Sequence, residues 1–320
     1  MTWLLIAIIL VLLASFLTLF AYFVAFYSSP RRAENPYKLP SGEQYEQGRE
    51  LMLSLIRELD GLPFEPVTIT AFDVVQLYGR YYHVRDGAPV QIELHGYRGS
   101  ALRDFCGGNK LAREAGMNTL LVDERANGRS GGRTITFGVK ERRDCLSWIE
   151  YANSRFGPVP IFLAGVSMGA ATVLMAAGLP LPANVAGIIA DCPYSSPEAI
   201  IRKVCREDMH LPPALLMPFV RLAARLFGRF RLDGASAVEA ARDTGIPILL
   251  LHGEDDRFVP CGMSREIHDA APGSTLVTFP GAGHGLSYIV DGARYAAAVE
   301  RFILDCMQRL TGETAGAGHT

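Results

Sequence analysis

A serine stands at a sharp change of pattern in the stretch PVPIFLAGVSMGAATVLMAAGL, residues 158–179. The residues before Gly165 are typical of a buried strand, and those after Gly169 are typical of a helix of small and apolar side chains. A serine on such a corner adopts strained backbone angles that lift its Oγ clear of the sheet. Ser167 is therefore a candidate nucleophile, and the amide of Met168, at a helix N-terminus, is a candidate donor to an oxyanion.

A second stretch, GRSGG at residues 128–132, matches the same G-x-S-x-G pattern. It follows the polar residues RAN and precedes RTITFG, so no strand leads into it. The strained corner proposed for Ser167, called a nucleophile elbow, requires a strand before the serine and a helix after it. The Gly-x-Ser-x-Gly pattern alone therefore does not identify a nucleophile. We predict that Ser130 is a turn residue.

A nucleophilic serine needs a base, and the base needs an acid that orients it. His284, in FPGAGHGLSY, follows the last predicted strand in a glycine-rich loop and is the best-placed histidine. His95 and His252 each end a strand as His-Gly and are interpreted as residues that shape loops. The acid is expected in LLLHGEDDRFVP, where three neighbouring carboxylates compete: Glu254, Asp255 and Asp256.

The turn ELHGYRGS, residues 93–100, follows another apolar strand. A His-Gly turn at a strand end exposes the next backbone amide, here that of Tyr97, as a second oxyanion donor. A plain β-turn has the same sequence pattern. Four aromatic residues are candidates for the substrate pocket, although core packing explains each of them equally well: Phe105, Phe137, Tyr194 and Tyr288.

From residue 89 onward, short apolar strands alternate with helical segments, which favours an α/β fold with a mostly parallel sheet covered on both faces. Residues 42–59 predict a helix that begins with a Ser41…Gln44 capping box. Residues 195–242 form a longer interval between two predicted strands than a simple helical connection needs. This interval predicts two or three amphipathic helices that form a lid. Within it, ARLFGRFRL is interpreted as a lid helix, with a membrane-surface helix as the alternative.

Residues 2–29 contain no charged side chain, and 24 residues of helix span about 36 Å, enough for a hydrocarbon core of about 30 Å. A cleaved signal peptide would have a basic start and a shorter apolar core, so a retained transmembrane anchor is favoured. Arg31, Arg32 and Lys38 follow the apolar run, and this predicts a cytoplasmic catalytic domain.

The chain has 31 Lys plus Arg and 33 Asp plus Glu among its 320 residues, and this balance argues against a nucleic-acid partner. Its six cysteines form no C-x-x-C pair and no zinc-ligand spacing with histidine, so no metal or cofactor is expected. Oligomeric state does not follow from these patterns.

In the order and spacing of these motifs, residues 66 to 306 resemble an α/β-hydrolase-fold serine hydrolase, most similar to bacterial membrane-anchored Bem46-like or lysophospholipase-like hydrolases. HGEDDRFVP resembles the family motif H-G-x-x-D-x-x-V-P, and this resemblance selects Asp256 as the acid. VDERANGRS resembles the family's D-x-R-G-x-G-x-S loop, with Ala126 where glycine is common. The resemblance implies an eight-stranded, mostly parallel sheet and a small helical lid.

The expected organisation is an anchor at 1–29, a linker and helix at 30–65, an α/β-hydrolase domain at 66–311 and a flexible tail at 312–320. The resemblance implies a hydrolase of carboxylic esters, with an acyl or lipid-like small-molecule substrate and a triad of Ser167, His284 and Asp256. Two alternatives remain: a peptidase or amidase on the same scaffold, and a catalytically silent membrane-tethered binding protein.

Overall fold

The computed structural model describes residues 1–29 and 35–317, with side chains as far as residue 312. Arg31 and Arg32, on which the predicted orientation depends, lie outside the described residues, as do His319 and the rest of 318–320. The last helix runs to Ala317, so the first part of the tail predicted at 312–320 continues that helix.

Eight strands form one sheet. They are β1 Glu65–Thr70, β2 Gln76–Tyr82, β3 Val90–Leu94, β4 Asn118–Asp123, β5 Ile161–Val166, β6 Val185–Asp191, β7 Ile248–Gly253 and β8 Thr275–Phe279. Their order is β1-β2-β4-β3-β5-β6-β7-β8, and β2 is antiparallel to both β1 and β4 while the remaining pairs are parallel. This confirms the predicted fold class.

Helices cover the sheet. In the described part of the chain they are α1 Thr2–Ala21, α2 Glu43–Glu46, α3 Arg49–Asp60, α4 Ala101–Asp104, α5 Cys106–Glu114, α6 Glu141–Phe156, α7 Met168–Ala176, α8 Pro197–Lys203, α9 Pro213–Leu226, α10 Ala237–Asp243, α11 Gly262–Ala270, α12 Ser287–Val290 and α13 Gly292–Ala317. Because both faces are covered, the central strands are buried along their whole length.

The core lies in two layers, one on each face of the sheet. Successive residues of β5 alternate between them: Leu163 packs in the layer with Trp148 of α6, and Phe162 packs in the layer with Ile56 of α3 and Phe302 of α13. This alternation is the two-residue period of a strand. The two layers hold β5 rigidly, and β5 ends at the candidate serine.

The helix predicted at 42–59 is two helices, α2 and α3, separated at Gln47 and Gly48. A side chain at Gly48 would overlap the Ile289 side chain, so the break lies where the chain passes close to another element. Ser41 does not cap the first helix, because Gly42 is the N-cap residue and no side chain bonds there. The predicted capping box is therefore wrong.

The lid predicted at 195–242 consists of α8, a π-helical turn at Val204–Asp208, α9 and α10. The Ser196 and Ser236 side chains accept hydrogen bonds from the first turns of α8 and α10. Lys203 Nζ donates to the Arg257 carbonyl at 2.6 Å, which ties the lid to the loop that carries Asp256.

The N-terminal helix runs from Thr2 to Phe26, its last turn being π-helical, and it is long and apolar enough to cross a membrane. The predicted boundary at residue 29 implies an anchor that is separate from the α/β domain. The C-terminal end of the helix instead packs on that domain. Phe26 is fully buried against the rings of Phe137 and Phe230, and Tyr27 forms an antiparallel bridge with Thr134. The helix is therefore docked on the domain.

The six cysteines share one environment. All are free thiols and all are buried: Cys106, Cys145, Cys192, Cys205, Cys261 and Cys306. They behave as small core residues, as their apolar sequence context predicts.

Candidate active site

Ser167 occupies the single residue between the end of β5 and the start of α7. Its φ of 56° and ψ of −112° are strained for a residue with a side chain. Gly165 and Gly169 make the corner possible: a side chain on Gly165 would overlap the backbone of Gly169, and one on Gly169 would overlap the Leu94 carbonyl. The sequence pattern Gly-x-Ser-x-Gly thus reflects close backbone approaches on both sides of the serine.

Ser130, in the second matching stretch, is held in a loop. Its Oγ donates to the Asp123 carbonyl at 2.6 Å and accepts a hydrogen bond from the Tyr78 amide at 2.8 Å. Both bonds fix the turn after β4, in agreement with the prediction that Ser130 is a turn residue.

An unbroken chain of hydrogen bonds joins the serine to a buried carboxylate. Ser167 Oγ lies 3.0 Å from His284 Nε2, and His284 Nδ1 lies 2.7 Å from Asp256 Oδ2. Because a carboxylate only accepts, Nδ1 carries the proton and Nε2 is free to accept from the serine. The three side chains come from three separate loops at the carboxyl ends of β5, β7 and β8.

The carboxyl of Asp256 is kept ionised by its neighbours. Burial alone would raise its pKa, but hydrogen bonds from His252 and His284 outweigh burial and hold the pKa well below its usual range. The amides of Phe258 and Val259 donate to Oδ1 at 2.9 and 2.8 Å. Asp256 therefore accepts hydrogen bonds from the amides of its own loop through Oδ1 and bonds to the imidazole of His284 through Oδ2.

The two competing carboxylates point elsewhere. Glu254 is exposed and accepts a hydrogen bond from Thr278 at 2.6 Å, and Asp255 is exposed beside it. His252 is buried, with Nδ1 at 2.6 Å from Ser264 Oγ and Nε2 at 2.8 Å from the Val259 carbonyl. It shapes the loop around Asp256, as the sequence predicted.

The turn after β3 lies against the serine. A side chain on Gly96 would come within 3.4 Å of the Ser167 Cβ, so the turn at Gly96 lies beside the Ser167 side chain. His95 fixes this turn: its Nε2 accepts from the Glu124 amide at 3.1 Å, and its Nδ1 donates to the Gly96 carbonyl at 2.8 Å. Met168 is the first residue of α7, where amides have no acceptor within the helix.

Two further carboxylates support the site and were missed from the sequence. Asp104 accepts a hydrogen bond from the Gly96 amide at 2.9 Å and so holds the turn after β3. Asp191 ends β6, its carbonyl accepts from the Ser167 amide at 2.8 Å, and its carboxyl is buried near Ser287 and Tyr295. Burial raises the pKa of Asp191 to about 6. Its only sequence signal is an acid at the end of an apolar strand, VAGIIAD.

The ligand atoms of Cys192, Asp256 and His284 lie within 4.8 Å of one another. Burial raises the pKa of the Cys192 thiol far above its ordinary value, so the thiol stays protonated. The other two groups already bond to each other. The cluster is thus a part of the hydrogen-bonded site.

Ser167 lies in the wall of two pockets. One has a volume of about 280 Å³ and a mixed polar and apolar lining that includes Phe105, Asp191 and Tyr288. The other has a volume of about 540 Å³, and Arg98 is the one charged residue among its described lining, which also includes Phe137 and Tyr194. The four aromatic residues proposed as a single substrate pocket are thus divided between two pockets that meet at the serine.

Known proteins share this architecture. Residues 94–298 match the model of the alpha/beta hydrolase family. The chain is 28% identical over 249 residues to the uncharacterized protein YqkD of Bacillus subtilis, an alignment that covers 75% of this chain and 81% of that protein. It is 27% identical over 222 residues to the lysophosphatidylserine lipase ABHD12 of Danio rerio, covering 63% of this chain and about half (51%) of that protein.

Among solved structures, the esterase Pf2001 of Pyrococcus furiosus superposes with a TM-score of 0.66 at 22% identity, covering 88% of this chain and 98% of that one. At this identity the likeness shows the fold alone. The family match extends over well more than half of the chain and contains the strained serine, the carboxylate and the histidine described above. The chain therefore belongs to the alpha/beta hydrolase family, and its fold and relatives support hydrolase activity.

Proposed function

We propose that this protein is a serine hydrolase that cleaves carboxylic esters of acyl or lipid-like substrates, with Ser167 as nucleophile, His284 as base and Asp256 as orienting acid. The observation that carries the proposal is the continuous hydrogen-bond chain from Ser167 Oγ to the buried carboxylate. It begins on a backbone turn that holds the hydroxyl clear of the sheet.

The mechanism is acyl transfer in two steps. Ser167 Oγ forms a bond to the ester carbonyl carbon while its proton passes to His284 Nε2, and the carbonyl oxygen becomes an oxyanion. The intermediate then expels the alcohol, which takes the proton from Nε2, and an acyl-enzyme remains. Water repeats the same sequence, releases the acid and restores the serine. Asp256 stabilises the imidazolium in both steps.

The oxyanion is held by the amides of Tyr97 and Met168. The position of Met168 at the N-terminus of α7 supports its role, because amides there lack helical acceptors and the helix dipole favours negative charge. The contact between Gly96 and Ser167 supports the role of the Tyr97 amide. Two amides fixed before reaction stabilise the developing charge without reorganisation.

The helix at Thr2–Phe26 anchors the enzyme in a membrane as a single span, with the catalytic domain on the cytoplasmic side. The length and exposure of the helix support the span, and Arg31, Arg32 and Lys38 after it support the orientation. Protease protection of the catalytic domain in intact spheroplasts, with digestion only after lysis, is the expected result. Digestion in intact spheroplasts would reverse the orientation.

Labelling with a fluorophosphonate probe tests the nucleophile. The full chain in detergent is required, because removal of the N-terminal segment would remove the core residue Phe26. We expect labelling of the wild type and of the matched control Ser130→Ala, and none of Ser167→Ala, whose ester turnover should fall by about five to six orders of magnitude. Labelling of Ser167→Ala, or none of folded wild type, would refute the proposal.

Paired substrates separate the alternatives. An acetyl ester and the corresponding acetamide present the same acyl group, so hydrolysis of the ester alone supports the esterase. Comparable hydrolysis of the amide would favour a peptidase or amidase, and hydrolysis of neither would favour a silent binding protein.

A further inference from the structure

We propose that the N-terminal helix forms one wall of the acyl-binding pocket and that a lipid's acyl chain enters this pocket sideways from the bilayer. The proposal rests on the function proposed above and names how the substrate is taken up. It is carried by the larger pocket, by the docking of the helix and by the length of helix left uncovered.

The larger pocket lies between the N-terminal helix and the lid. Leu17, Phe20, Ala21 and Val24 line one side, the lid lines the other, and the pocket reaches Ser167. Such a pocket, apolar along its walls and ending at a nucleophile, fits an acyl chain whose ester carbonyl lies at the serine.

The pocket opens at the surface between the same two elements. Phe20 and Val24 from the N-terminal helix are exposed, as are Met209 and Leu211 from the segment between α8 and α9. Because these four residues are both exposed and part of the lining, the gap between helix and lid leads from the outside to the serine.

The helix is fixed in this position by hydrogen bonds to its main-chain carbonyls. The Arg98 guanidinium donates to the carbonyls of Val24 and Tyr27 at 3.0 and 2.9 Å, and the Ile135 amide donates to the Phe26 carbonyl at 2.8 Å. The Tyr97 hydroxyl donates to the Ala25 carbonyl at 2.8 Å, from the residue that follows Gly96 in the turn beside Ser167. The wall of the pocket is thus attached to the oxyanion turn.

The uncovered part of the helix is too short to cross a bilayer alone. Residues 2–16 are exposed except for the half-buried Ala14, and they span about 22 Å, whereas the hydrocarbon core is about 30 Å thick. The remaining distance of about 8 Å corresponds to about five residues, from Leu17 to Ala21. Three of these five residues, Leu17, Phe20 and Ala21, line the pocket, so a spanning helix places the pocket wall at hydrocarbon depth.

The lid presents an apolar surface beside the helix. Leu215, Leu222 and Leu226 of α9 are 68%, 42% and 58% exposed, and α9 packs against α1. Phe227, which follows α9, is exposed as well and lies 5.4 Å from Tyr22 between ring centroids. Several exposed apolar side chains close together are unfavourable in water and favourable in the outer part of a hydrocarbon layer. The stretch ARLFGRFRL, interpreted from the sequence as a lid helix, is helical only as far as Leu226, where α9 ends. The exposure of Leu226 and Phe227 favours the alternative position of this stretch at the membrane surface.

The test narrows the pocket from the helix side in the full chain reconstituted in phosphatidylcholine vesicles. Ala21→Trp puts a large ring into the wall, and Ala7→Trp makes the same change on the exposed part of α1. The measured quantity is the ratio of kcat/KM for a membrane-embedded palmitoyl ester to that for a water-soluble acetyl ester. We expect Ala21→Trp to lower this ratio by about tenfold or more, from the usual cost of overpacking, and Ala7→Trp to leave it unchanged.

The outcomes are distinguishable. An unchanged ratio in Ala21→Trp, with fluorophosphonate labelling intact, would refute the proposal that the N-terminal helix forms the pocket wall. The proposed esterase activity would not be affected by that result. Equal losses in both variants would show a general effect of the helix and would also overturn it. Failure of the proposed function appears separately, as wild-type protein that neither labels nor hydrolyses the acetyl ester.

The depth of the pocket wall in the bilayer is measured independently with brominated lipid. Trp3→Phe removes the native reporter from the helix, and Phe20→Trp in that background introduces one at the pocket wall. Quenching of the new tryptophan by bromines in the acyl chains is expected. Quenching by water-soluble acrylamide alone would place this residue outside the hydrocarbon and overturn sideways entry.

Discussion

Asp191 gives the site a defined dependence of stability on pH. Its buried carboxyl has a pKa of about 6 instead of the ordinary 3.8, because burial disfavours the charged form more than His252 and Tyr295 favour it. A group whose folded pKa is raised contributes stability below its unfolded pKa, and this contribution is lost as pH rises through the folded pKa. The loss therefore falls between pH 4 and 6.

The magnitude follows from the two pKa values. The difference between about 6 and 3.8, at about 1.36 kcal/mol for each pKa unit, gives about 3 kcal/mol. Asp191→Asn keeps the size and hydrogen-bonding oxygen of the side chain and removes the titration. We expect equal free energies of unfolding for variant and wild type at pH 4, and a variant more stable by about 2–3 kcal/mol at pH 7.5.

The assay is urea unfolding of the full chain in detergent from pH 4 to 7.5, followed by circular dichroism. Titrating groups that do not interact with Asp191 cancel in the difference between variant and wild type. Asp255→Asn, an exposed carboxylate in the loop that carries Asp256, is the matched control and should show a difference independent of pH. An Asp191→Asn difference that is flat with pH, or that favours wild type at pH 7.5, would refute the assignment.

Three further predictions concern the same architecture. Asp256→Asn should lower kcat by about 10⁴ with the serine still in place, measured with an acetyl ester; a loss below tenfold would contradict an orienting role. Among soluble esters, kcat/KM should rise by about fourfold for each added methylene until the apolar pocket is filled, and a flat series would contradict acyl binding there. Phe26→Ala should lower the free energy of unfolding by about 3–5 kcal/mol, since the ring is fully buried, whereas Phe16→Ala should not.

Local sequence patterns were sufficient to predict a mostly parallel sheet and to select Ser167 as the candidate nucleophile. The central strands are buried along their length because both faces are covered, and the mostly apolar runs that result are visible in the sequence. Ser167 could be separated from Ser130 because a strand leads into one and a polar loop into the other. The constraint on Gly165 is also local, since a side chain there would overlap the backbone of Gly169, whereas the constraint on Gly169 comes from the distant Leu94 carbonyl in β3.

The acid could not be chosen from the residues alone. Glu254, Asp255 and Asp256 are neighbours of the same chemical type, and the resemblance to a family motif was needed to select one. What distinguishes Asp256 in the structure is the turn that brings the Phe258 and Val259 amides to its carboxylate and faces it toward a loop after another strand.

Contacts between distant segments account for the remaining differences. The helix is interrupted at Gly48, where the Ile289 side chain passes against the chain, and no pattern around residue 48 contains that contact. The N-terminal helix was expected as a separate anchor because its composition is uniform, yet its last turns pack against Phe137 and Phe230. The division of the aromatic residues between two pockets depends on the same docking.

The buried cysteines make this protein a ready background for chemical labelling. All six thiols are free and enclosed in the core, so a maleimide reagent meets none of them in the folded chain. A single cysteine introduced on the lid or on the exposed part of the N-terminal helix would then carry one dye at a known place, with no native cysteine removed. Two such positions would give a distance across the gap between lid and helix, and its fluctuations could be followed in single molecules while the enzyme turns over.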